Sequence, residues 1–232
     1  MDNNLLQLKI KQRLNKLGSF DYDNIECWMV QESFNKAQVE WVRRMMYGLN
    51  QRREGVETST GLTDDLRIIM KSVELTSVEK KGYYEAILPS DYFYYVRVDV
   101  NAKNDCCPER KMVVYEAEEA NMGILLTSST KGPSFEWGET LSTLVGDKIR
   151  VYTNDKFDIT SLILVYMRQP RYVQFQGCIN PSTGTTFTAN VTCEFKDDIA
   201  EILVDQTAAI LAGDIESMNQ YQRESQEVQK NS

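Results

Sequence analysis

Leu6, Ile10, Leu14 and Leu17 recur at helical spacing and Gly18 follows them, so residues 4–17 read as a short amphipathic helix with a basic opposite side. Asp21 and Asp23 offer N-caps for a second helical stretch through Ile25, Trp28 and Met29. That stretch leads into a longer helix over 34–53, where Phe34, Ala37, Trp41, Met45 and Leu49 fall near one face. Val39, Val42 and Met46 add a second apolar strip beside the first, so the apolar sector is broad. Thr63 and Asp64 cap a shorter helix that carries Leu66, Ile69 and Met70 inward.

From about Val73 the pattern changes to β-branched and aromatic residues broken by Gly, Pro and Asn. It predicts strands at 83–88, 92–100, 111–116, 148–152 and 159–168, with Pro89 and Pro170 as stops. Residues 118–126 read as a brief helix or a loop carrying Ile124 and Leu125 into the core. After Thr192 the helical period returns through Ile199, Ile202, Leu203, Ala209 and Ile210, with Gly213 as its stop. The expected fold class is therefore α+β. A helical layer from the N-terminal helices and a C-terminal helix packs beside an antiparallel β-sandwich or barrel-like middle. The expected divisions are an N-terminal helical region at 1–72, a β-rich body at 73–193, a C-terminal helix at 194–216 and a flexible polar tail at 217–232.

Charge sharpens this picture. The 232 residues hold 26 basic and 34 acidic side chains, a formal net charge of −8, which argues against general affinity for nucleic acid. The distribution is uneven. Residues 1–17 place Lys9, Lys11, Arg13 and Lys16 against Asp2 alone, whereas residues 194–232 hold nine acids and three bases. The two ends are expected to attract each other, within a subunit or between subunits.

Histidine is absent, which removes the usual general base and the commonest zinc ligand. The five cysteines, at 27, 106, 107, 178 and 193, contain no CxxC pair and suggest reduced thiols instead of a disulfide framework or zinc site. No phosphate-cradling loop or nucleophile elbow is present. The adjacent acids Asp64 and Asp65, Glu118 and Glu119, and Asp197 and Asp198 diverge too far on a helix for paired catalysis, and read as caps or solvated positions. No run approaches the roughly 20 apolar residues of a membrane span, and the chain is expected to be soluble and unexported. The expectation is a protein without enzymatic activity, cofactor or metal. Tyr92, Phe93, Tyr94 and Tyr95 leave one alternative open, a carbohydrate-binding tail module that stacks sugars on aromatic rings at the host surface.

Four segments carry a resemblance. They are NKAQVEWVRR at 35–44, REGVETST with the later DDL at 53–66, SFEWGETLSTLVGDKIRVYTN at 134–154 and FKDDIAEILVDQTAAILAGDIESMNQYQ at 195–222. Together they resemble virion structural proteins of crAss-like short-tailed bacteriophages, of the ring or head-to-tail connector kind. The resemblance implies a homo-oligomeric ring, of twelve copies to match the portal, stacked with the portal and other tail proteins in the virion. Genomic DNA would pass through it without specific binding, and assembly would take place in the host bacterial cytoplasm. The expected subunit-interface residues are Trp41, Arg43, Arg44, Arg52 and Arg53 on the 34–53 helix, and Trp137 in the loop before Leu141. On that helix the strip through Trp41 and Met45 is expected to face the C-terminal helix, leaving the arginine side for a neighbour.

Overall fold

A computed structural model describes residues 1–14, 25–47, 64–105, 107–180 and 182–214, and it is α+β. Two compact units divide the chain. One joins Met1–Ile68 to Pro170–Ser232, and the other is the continuous segment Ile69–Gln169. The second unit is thus an insertion into the first.

In the first unit, helix α1 (Asn3–Leu14) buries Leu6, Ile10 and Leu14 against the C-terminal helix, labelled α4 below (Asp197–Asp214). Helix α2 (Cys27–Tyr47) runs without a break through both stretches that the pattern read in succession. It packs on α4 as well, with Phe34, Ala37, Trp41 and Val42 buried. The central helix α4 is covered nearly all round, because Leu203, Val204, Ala208, Leu211 and Ala212 are all buried. The attraction expected between the charged ends is realised inside the unit. Lys9 pairs with Glu201, and Arg13 Nε lies 2.8 Å from Asp205 Oδ1, so bases and acids spaced by four residues match along two helices running parallel.

The segment from Pro170 to Cys193, expected within the β-rich body, belongs to this helical unit. The physical reason is a set of amide side chains. Gln31 Oε1 accepts from Phe175 N at 2.9 Å, Asn35 accepts from Val173 N at 2.8 Å and donates to Val173 O at 3.1 Å, and Asn3 Nδ2 donates to Gln174 O at 2.9 Å. Backbone groups without a sheet partner are satisfied by the helices instead. Cys27 and Cys178 add a covalent tie, a disulfide with a Cα separation of 5.8 Å. The expectation of reduced thiols throughout is corrected here, since the amide contacts bring the 170s against the start of α2, where Cys27 sits.

The second unit is an eight-stranded sheet in the order β1-β8-β4-β5-β6-β7-β3-β2. The strands are β1 (Met70–Glu74), β2 (Ser77–Lys80), β3 (Tyr83–Ile87), β4 (Tyr92–Asn104), β5 (Cys107–Glu116), β6 (Glu139–Val145), β7 (Lys148–Tyr152) and β8 (Asp158–Arg168). The outermost strands β1 and β2 are chain neighbours joined only by Leu75 and Thr76, so the two edges are held within about 10 Å of each other. The sheet must therefore curl, which makes it barrel-like. Tyr84 on β3 reaches Asp158 on β8 across this seam. Val98, Val100, Met112, Ile149, Val151, Leu162 and Leu164 fill the inside.

One pair departs from the expected antiparallel arrangement: β5 and β6 run parallel, with Val113 opposite Glu139. A parallel pair needs a long crossover, and residues 117–138 supply it with helix α3 (Met122–Thr127). The helix packs Met122, Leu125 and Leu126 on Leu141 and Tyr152, giving the unit a small outer core. The inserted unit also enters and leaves at one place, since Met70 on β1 pairs directly with Met167 on β8.

Candidate interaction surfaces

The six expected contact residues fall in different environments. Trp41 is 2 % exposed and meets the Phe195 ring edge-on at 5.1 Å, so it is a core residue of the helical unit and is corrected from its place among the surface candidates. Its position follows from the apolar repeat it shares with Phe34 and Ala37. Arg43 is exposed and lines a groove of about 690 Å³ between α2 and the 170–187 segment, together with Trp28, Tyr172 and Phe187. Arg44 is half-buried. Arg52 and Arg53 lie outside the described residues, as do the end of the expected 34–53 helix, the caps Asp21 and Asp23, and the 217–232 tail.

Trp137 is 77 % exposed, yet its backbone is tightly fixed. Ser134 and Glu139 exchange backbone hydrogen bonds of 2.9 and 3.0 Å, and the Trp137 amide donates to Ser134 Oγ at 3.3 Å. From beneath, Arg110 Nη1 donates to Phe135 O at 3.1 Å and to Glu136 O at 3.2 Å, while its guanidinium covers the Phe135 ring. Phe135 packs in turn on Phe157 inside the barrel. Gly138 makes this possible: it adopts φ +70°, and a Cβ there would stand 2.6 Å from Arg110 Nη2. Beside the turn, Val113 and Tyr115 on the outer face of β5 are also exposed.

Across the sheet, the outer face of β2, β3 and β7 holds a recess of about 510 Å³ whose apolar walls include Val78 and Ile87, 55 % and 66 % exposed. Lys80 and Lys148 border it. Glu85 lies between them, bonded to Lys148 Nζ at 2.8 Å and Arg150 Nε at 3.3 Å. The Lys148 ammonium, first of all, holds the Glu85 carboxyl below its ordinary value.

Each acidic pair has at least one member engaged in an ion pair. Lys196 Nζ lies 2.9 Å from Asp65 and 3.6 Å from Asp64. Glu119 accepts from Arg150 and from the Tyr152 hydroxyl. Asp197 pairs with the N-terminal ammonium, which lowers its pKa, and Asp198 is exposed. Among the described residues no group of three or more Cys, Asp or Glu has the spacing of a metal site. Cys107 is exposed, and its neighbour Cys106 lies outside the described residues.

The four aromatic residues at 92–95 do not form one exposed platform. Tyr92 stacks on Tyr166 with centroids 5.9 Å apart, and both Tyr92 and Tyr95 pack against the barrel core. Phe93 and Tyr94 meet edge-on at 4.4 Å. Irregular pairing of β4 with β8 between Tyr92 and Tyr94, and again between Tyr95 and Arg97, breaks the strict alternation of faces.

No helix among the described residues is long and apolar enough to cross a membrane. No known family model matches the chain, and no curated protein is significantly similar to it.

Proposed function

We propose that this chain is a non-enzymatic virion protein that forms a ring in the head-to-tail connector of a short-tailed phage. Resemblance over four segments, including 134–154, first suggests this reading. The observation that carries it is that the third of those segments builds a braced turn displaying Trp137 to solvent. An ordered backbone that exposes a large aromatic ring has the character of a binding anchor, because a contact there orders few additional groups. Homo-oligomeric assembly, with the portal and neighbouring tail proteins as further partners, is the setting in which such an anchor acts. The net charge of −8 also suits a conduit for DNA, because an acidic bore repels phosphates.

Negative-stain imaging with native mass measurement, on the protein alone and mixed with its portal, tests the proposal. Annular particles of defined copy number are expected. A monomer that stays monomeric and ignores the portal would refute it. Replacing both Arg43 and Arg44 by Glu is expected to weaken assembly while leaving the melting temperature nearly unchanged. Normal assembly of that variant would remove the arginine side of α2 from the interface.

A further inference from the structure

We infer that the Trp137 turn of one copy seats in the Val78–Ile87 recess of the next, so that copies join head to tail. The inference rests on the ring reading and adds to it the two surfaces that meet.

Three observations carry it. First, the knob and the recess are chemically matched. The indole is flanked by Glu136 and Glu139, and the adjacent cation, Arg110, is engaged by the carbonyls of the turn. The recess has Val78 and Ile87 as apolar walls and Lys80 and Lys148 at its border, while Glu85 and Glu119 on that outer face are engaged by Lys148 and Arg150. An acid-flanked aromatic thus meets a base-flanked apolar hollow.

Second, one copy presents both surfaces at once and cannot satisfy itself. The knob precedes Glu139 at the start of β6, while Lys148 follows the hairpin at the other end of that strand, paired with Val145. Six residue steps along β6 separate the two ends by about 20 Å, and two further strand spacings lie between β6 and β3.

Third, the two surfaces are different patches of one subunit. Contact between unlike patches is heterologous, and repeated with a closing rotation it generates a ring. The sheet supplies the required stiffness, since both patches sit on hydrogen-bonded strands or on a turn fixed to them.

The test places the photoreactive residue p-benzoylphenylalanine at position 137 of the full chain and irradiates an equal mixture of unlabelled and ¹⁵N-labelled protein. Mixed heavy–light cross-links from position 137 to residues 76–87 are expected. Val78→Glu should abolish them, Lys80→Glu should weaken self-association at least tenfold, and Glu136→Lys should restore it in the Lys80→Glu background. Annular particles whose cross-links fall elsewhere would overturn this docking and leave the ring reading standing. Absence of both particles and inter-copy cross-links, with and without portal, would overturn both.

Discussion

The Tyr166 hydroxyl donates a 2.7 Å hydrogen bond to Asp91 Oδ1, and the same carboxylate pairs with Lys71 through its other oxygen. Burial, aided by Asp91, pushes the Tyr166 pKa up to about 12. A raised folded-state value stabilises the protein fully below the unfolded tyrosine pKa near 10, and that contribution is lost as pH rises from about 10 to about 12. The expected loss is roughly 2–3 kcal/mol. Urea unfolding at pH 9 and pH 11.5 should show the decline in the wild type and a smaller one in Tyr166→Phe. Equal declines would mean that Tyr166 does not titrate as described. At the acid end, burial raises Asp91, but bonds from Lys71 and Tyr166 outweigh it and leave the carboxyl below its ordinary 3.8. Its contribution is therefore present above pH 3.8 and is lost progressively as pH falls from there through the lowered value.

The pairs between α1 and α4 are expected to differ in weight. Asp205 is 7 % exposed, so Arg13→Ala takes a cation away from a buried carboxylate and should cost roughly 1–3 kcal/mol. Lys9→Ala removes a partner from a half-exposed pair and should cost about 0–1 kcal/mol. Thermal melts in low and high salt check this order, with the Lys9 effect the more readily screened.

The Cys27–Cys178 bridge closes a loop of 151 residues, for which chain entropy sets an upper estimate near 5 kcal/mol. Mass spectrometry should find Cys27 and Cys178 unmodified after alkylation without reductant and modified once reductant is added. Adding reductant should lower the melting temperature of the helical unit, and Cys178→Ser should show the lower value from the start. Full alkylation of Cys27 without reductant would speak against the bridge.

Gly138→Ala is expected to disturb the Trp137 turn without unfolding the barrel. The new Cβ would collide with the Arg110 guanidinium and hold a left-handed φ, for a cost of about 1–2 kcal/mol. Hydrogen exchange should quicken at the amides of Trp137 and Gly138 and stay unchanged on β8. Unchanged exchange at both would show that Arg110 does not brace the turn.

Trp41 gives a complementary case. Its Nε1 is buried without an acceptor among the described residues, so its value lies in packing against Phe195. Trp41→Phe should cost less than about 2 kcal/mol and Trp41→Ala roughly 3–5 kcal/mol, read by urea unfolding. Comparable losses from both would indicate a role for the indole nitrogen.

The helices were legible because their apolar repeats match the faces they bury: Leu6, Ile10 and Leu14 on α1, and Phe34, Ala37 and Trp41 on α2. Strand β6 was not. It buries hydroxyls on both faces, Thr140 and Ser142 on one and Thr143 beside Leu141 on the other, with Thr140 donating to the Tyr152 carbonyl. An apolar alternation search passes over such a strand. Strands β1 and β2 escaped for a related reason, being short and polar at the seam of the barrel. The amide ladder from Gln31 and Asn35 left a fainter trace, two amides at helical spacing beside an apolar strip. Trp137 was recognisable as a candidate, but its bracing by Arg110 depends on a contact 27 positions away in the chain that no local pattern encodes.

The pairing of Met70 with Met167 has a bearing on how the chain is made. All strands of the inserted unit leave the ribosome before α4 exists, so that unit can complete its hydrogen bonding during translation. Helices α1 and α2 emerge first but must wait with their apolar faces uncovered until α4 follows. Helices synthesised before the sheet are thus completed after it, and that interval is when a chaperone would find the most to hold.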